Sequence, residues 1–135
     1  MLRLLLVALV ALKIATPVAA QENSGAIQGV ITQQIEAFRQ DDFATAFSFA
    51  SPMIKGIFGN PDRFGLMVRN GFPMVWRNTD VQFRDLKGEG TLYLQKVLVK
   101  DAKGVFHVLE YQMIETLDGW QINGVSLLEK PPVGA

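Results

Sequence analysis

The chain has 135 residues, 13 basic and 13 acidic side chains, one histidine and no cysteine. That length holds one domain, the missing cysteines exclude disulfides and cysteine-based zinc sites, and a single histidine excludes a multi-histidine metal site within one chain. No lysine or arginine run or basic stripe is present, which argues against a nucleic-acid partner.

The N-terminus reads as an export signal of the Sec type. Arg3 is the basic segment, Leu4 to Leu12 the apolar segment, and Val18-Ala19-Ala20 a small-residue cleavage site. Lys13 interrupts the apolar run, which falls short of the ~20 residues a membrane-spanning helix needs. The alternative is an uncleaved anchor. The expected product is periplasmic or secreted, cleaved after Ala20, with no stable membrane span. Without Arg3 and Lys13 it carries 11 basic against 13 acidic residues, a net charge of −2. The expected layout is a signal peptide over 1–20, one domain over 21–130 and a loose tail over 131–135.

Ile27, Val30, Ile31, Ile35 and Phe38 follow the helical period, so Gly25 to Gln40 forms an amphipathic helix that Ser24 or Asn23 can cap. Asp41 and Asp42 open a second helix with Phe43, Ala46, Phe47 and Ala50 on its buried side. Ser51-Pro52 closes it, and a short helical turn follows to Phe58. Asn60-Pro61-Asp62 starts a third helix and Asn70-Gly71 stops it. Phe64, Met67 and Val68 share a face of that helix, and Phe72 to Trp76 lead into strands.

The remainder predicts a four-stranded antiparallel meander near 80–86, 91–100, 104–117 and 120–129. Gly88-Glu89 is one turn, pairing Leu86 with Thr91. Asp101 to Gly104 is read as a four-residue loop pairing Lys100 with Val105. Asp118-Gly119 is a two-residue hairpin loop pairing Leu117 with Trp120. This register puts Leu92, Leu94, Lys96 and Leu98 on one face with Leu109, Tyr111 and Met113. Val81 and Phe83 join that face. Gly124 marks a bulge that turns Val125 and Leu127 inward. Helices on one side of such a sheet make an α+β fold.

Two stretches resemble the nuclear-transport-factor-2-like (cystatin-like cone) superfamily: Phe38 to Phe47, with Asp42, Ala46 and Phe47 in place, and Asp118-Gly119-Trp120-Gln121-Ile122-Asn123-Gly124-Val125. Ala46 to Pro52, with Ile57-Phe58-Gly59 and Phe64, resembles a bacterial exported family, domain of unknown function 4864. The resemblance covers nearly all of the chain after the signal. It implies a cone in which helices close over a curved sheet, and says little of chemistry.

In that cone Lys96, His107, Tyr111 and Glu115 are the polar exceptions on the inner face, and Phe64 and Trp76 belong to an aromatic roof. Together they are the candidate binding residues. Their plainer reading is a snorkelling lysine, a half-buried tyrosine, an exposed histidine and ordinary core aromatics. No catalytic residue and no cofactor is assigned. The superfamily's isomerases and dehydratases need a pocket carboxylate with a donor, or a His–Asp pair. The inner-face carboxylates Asp85 and Glu115 lie near strand ends, and no aspartate neighbours His107 in this register. Tyr93, Val97, Val99, Phe106 and Val108 form an apolar patch on the outer face. A two-fold dimer is expected there, the alternative being cover by the tail or a loop. The functional expectation is an exported module for an apolar small molecule or a protein partner. A small isomerase- or lyase-like enzyme is the rival.

Overall fold

The computed structural model describes residues 18–128, so residues 1–17 of the expected export signal and the expected loose tail lie outside the described part. Five helical segments precede four strands, which form one antiparallel sheet in sequential order, β1-β2-β3-β4. The helices pack on one face of this curved sheet, giving the α+β arrangement.

Helix α1 spans Val18–Arg39. Its apolar stripe, Ile27, Ile31, Ile35 and Phe38, is buried. Asn23 and Ser24 lie within the helix instead of capping it. Asn23 donates to the Tyr93 hydroxyl at 3.3 Å, and Ser24 accepts from Gln28 at 3.2 Å. Asp41, with φ +55°, ends the helix, and Asp42 caps α2, Phe43–Ser48, by accepting the Thr45 amide at 3.1 Å. Ser51 caps α3, Pro52–Phe58, and Asn60 caps α4, Pro61–Gly71, each with proline in the first turn. Pro73–Trp76 is a further helical turn, α5, where a plain lead-in to the sheet is expected.

Strands β1 (Asn78–Glu89), β2 (Leu92–Asp101), β3 (Phe106–Thr116) and β4 (Gly119–Leu128) form the expected meander. All three turns differ in detail. Gly90-Thr91 joins β1 to β2, pairing Glu89 with Leu92. Leu117-Asp118 joins β3 to β4, pairing Glu115 with Trp120. The Thr116 hydroxyl holds that turn, accepting from the Asp118 amide and donating to the Gly119 carbonyl. Here the slip is two residues, so the inward side chains are those expected.

The β2–β3 turn slips by one residue, and that reverses β2. The loop is Ala102-Lys103-Gly104, pairing Lys100 with Phe106. Asp101 stays in the strand: its amide donates to the Val105 carbonyl at 2.8 Å, and its Oδ1 accepts the Lys103 and Val105 amides at 2.9 Å each. Gly104 at φ +84° completes the three-residue loop, a conformation that glycine supplies without strain. Tyr93, Gln95, Val97 and Val99 therefore face the helices. Leu92, Leu94, Lys96 and Leu98 face away.

An amide side chain sits at each of two bulges. The Gln95 side chain donates to the carbonyls of Arg84 and Lys96 at 2.9 Å, beside the break in β1 pairing between Phe83 and Leu86. Asp85 lies in that bulge and is exposed. The expected bulge in β4 is present: Ile122 pairs with Met113 and Gly124 with Gln112, leaving Asn123 extra. Val125 and Leu127 then fall opposite Tyr111 and Leu109, on the inner face. Asn123 is held by the Ser51 hydroxyl at 2.8 Å and donates to Gln112 at 3.2 Å. A parallel bridge between Ala50 and Ile122 adds a short run of backbone to the β4 edge.

Candidate ligand pocket

The helices do not fill the space over β3 and β4. A cavity of about 220 Å³ remains there. Its floor is Tyr111, Ile122, Gly124 and Val125. Ile54 and Phe58 of α3 form one wall. Phe64, Met67 and Val68 of α4, with Phe72 and Val75, form another. Gln34 and Phe38 of α1 close the back. Protein interiors leave few voids larger than a water molecule, so an apolar void of this size is a candidate site.

Phe64 is the hub of the roof. Its ring lies 5.9 Å from Phe38, 5.3 Å from Phe47 and 5.8 Å from Phe58, in tilted and edge-on contacts. Gly65 lets α4 approach α2: a Cβ there would stand 2.6 Å from the Phe43 ring. Two polar side chains reach the cavity. Gln34 donates its amide to the Ala46 carbonyl at 3.1 Å. Tyr111 is wholly buried and its hydroxyl has no hydrogen-bond partner among the described residues. Desolvation pushes that phenol far above its ordinary pKa, so it stays protonated.

Of the six candidate binding residues, Tyr111 and Phe64 sit on the cavity wall. Lys96 does not, because the one-residue slip turns it to the outer face opposite Glu110. His107, Tyr111 and Glu115 share a face, but four-residue steps along a strand separate them by about 13 Å each. Glu115 is exposed at the far end of β3. His107 Nε2 lies 2.8 Å from Asp101 Oδ2, a pairing the slipped register creates. The hydrogen bond from His107, then those from the Val105 and Lys103 amides, hold the Asp101 carboxyl below the usual range.

Trp76 serves a different cluster. Its indole donates to Asp41 at 2.8 Å, and the Arg77 guanidinium lies 4.1 Å from the ring centroid. Arg77 also reaches both Asp41 oxygens, at 2.8 and 3.0 Å. The Trp76 bond first and Arg77 second depress the Asp41 pKa. These contacts tie the α1–α2 turn to the start of β1.

The expected outer patch is corrected by the same slip. Val97 and Val99 are fully buried in the core, and Tyr93 packs edge-on against Trp120 at 5.2 Å. Phe106 and Val108 remain outside, joined by Leu92, Leu94, Leu98 and Ile114. Gln34 was open to detection: it stands seven residues after Ile27 on the α1 stripe, where an apolar side chain is the rule.

No helix among the described residues is long and apolar enough to cross a membrane. The family described as Domain of unknown function (DUF4864) matches residues 20–135. No curated protein matches the chain.

Proposed function

The chain belongs to the family described as Domain of unknown function (DUF4864), and on that footing we propose that it is an exported binding module that holds a small apolar molecule in the cavity beneath α4. The observation that carries this reading is a half-open cavity walled largely by aromatic and aliphatic side chains of the core. Export is supported by Arg3, the Leu4–Leu12 run and Val18-Ala19-Ala20. Binding is favoured over turnover because no lining residue carries a carboxylate, imidazole or amine, so the wall offers no general base for an isomerase or lyase. An apolar cavity of ~150 Å³ holds benzene, so a single substituted ring fits here.

Titration with ethylbenzene, followed by amide chemical shifts, tests the proposal. Saturable shifts clustered at Phe64, Val68 and Val125 are expected. A flat titration up to the solubility of the probe overturns it. N-terminal sequencing of the exported protein is expected to begin at Gln21, and retention of Met1 refutes processing.

A second reading concerns the outer face, as an interaction surface for another copy. Leu92 and Phe106 are 44% and 47% exposed there, beside Leu94, Leu98 and Val108. Lys96 and Glu110, paired across the centre, offer a two-fold partner both charges to exchange. Light scattering at micromolar concentration checks it: a dimer mass supports this reading and a monomer mass removes it.

A further inference from the structure

We infer that the cavity's ligand is a small neutral carbonyl compound whose oxygen accepts a hydrogen bond from Tyr111. This inference rests on the binding proposal above and adds the chemical class of the occupant.

Tyr111 stands on the inner face of β3, between Gln95 of β2 and Val125 of β4. Its hydroxyl meets no described donor or acceptor, and it is sealed from water. Buried hydroxyls are ordinarily paired, and one left unpaired costs free energy that phenylalanine would avoid. A ligand that satisfies it recovers the loss. A phenol is a better donor than acceptor, because its lone pair is delocalised into the ring. The matching ligand atom is therefore an acceptor. Gln34, the other polar side chain at the wall, has its amide nitrogen committed to the Ala46 carbonyl.

Charge sets the second limit. No cation or anion lines the wall. A carboxylate or ammonium brought into this site would be desolvated without a counter-charge. Free acids and amines are thereby excluded from the deep position, while a ketone, aldehyde, ester or amide oxygen is allowed. Volume sets the third limit. At about 220 Å³ the cavity admits one substituted ring or a chain of similar bulk. Since the hydroxyl is buried at the cavity wall, the hydrogen bond forms as the Tyr111 side chain turns toward the ligand.

Three probes of nearly equal size separate these claims: ethylbenzene, acetophenone and benzoate. Each is titrated into the protein and into Tyr111→Phe, with binding read from amide shifts. Acetophenone is expected to bind the unsubstituted protein about five- to tenfold more tightly than ethylbenzene, the worth of one buried hydrogen bond. In Tyr111→Phe that preference disappears, read as the ratio of the two affinities in the same variant. Benzoate does not bind either protein at the deep site. Equal affinities for ethylbenzene and acetophenone in the unsubstituted protein overturn this inference and leave the apolar-binding proposal standing. A preference that survives Tyr111→Phe overturns the role of Tyr111. Tighter binding of benzoate than of acetophenone overturns the neutral-ligand class. Failure of all three probes overturns the binding proposal and this inference together.

Discussion

Gln95 and Tyr111 face each other across β2 and β3, both wholly buried, yet their polar atoms are treated in opposite ways. The Gln95 amide is fully used. It accepts from Gln28 at 3.3 Å and donates to the carbonyls of Arg84 and Lys96, closing the β1 bulge beneath α1. The Tyr111 hydroxyl, one strand over at the cavity wall, has no hydrogen-bond partner among the described residues. On one side of the core a polar side chain holds backbone in place. On the other it is buried without a partner, on a side chain that lines the cavity. The difference separates the region that keeps the fold from the region that holds a ligand.

The largest effect is expected on the Gln95 side. Gln95→Leu removes the buried amide that the Arg84 and Lys96 carbonyls accept from and should cost about 2–4 kcal/mol, read as a fall in the urea midpoint. A loss within the scatter of surface variants would break the comparison. Gly65→Ala tests the roof. Its Cβ meets the Phe43 ring, and about 1–2 kcal/mol of destabilisation is expected by thermal melting. An unchanged melting temperature would mean that α4 lifts freely off α2.

Asp101 offers a satisfied polar group at the sheet end as a third reference point. Its folded pKa lies below its unfolded value. Its contribution is therefore fully present above about pH 4 and is lost as the pH falls through the folded value. Asp101→Asn is expected to flatten the acid loss of stability below about pH 4, measured as urea midpoint against pH. An unaltered acid limb would remove Asp101 from the account. Tyr111→Phe should give the smallest change and the most informative one. Stability stays within about 0.5 kcal/mol or rises, because no bond is lost with the hydroxyl. A clear loss would show that the oxygen has a partner and would erase the contrast with Gln95.

The helical half was legible because its boundaries are written in local chemistry. Asn60-Pro61-Asp62 supplies a cap and a first-turn proline, and α4 begins there; Ser51-Pro52, read as the close of the second helix, instead caps and opens α3, while α2 already ends at Ser48. The meander and the Gly124 bulge were legible for similar reasons. The facing of β2 was not, because the strand is apolar on both sides: Leu92, Leu94 and Leu98 against Tyr93, Val97 and Val99. Alternation cannot choose between two such rows. The choice fell to a loop whose length depends on the Asp101 carboxylate gathering two amides, a contact that spacing alone does not reveal. Phe64 and Tyr111 could be placed at the wall because a helix stripe and β3 dictate them. Lys96 moved with β2, and His107 found its aspartate only through the slipped pairing.

The tip of the second hairpin consequently acts as an odd–even counter for the ribbon behind it. Surface loops usually absorb insertions and deletions without cost to what they connect. Here one added residue between Asp101 and Phe106 would turn β2 over as a unit, delivering Leu94, Lys96 and Leu98 to the helices and Gln95 to solvent. Changes of two residues would leave the core composition alone. Length variation at this tip is thus constrained by arithmetic, even where its side chains are free to change.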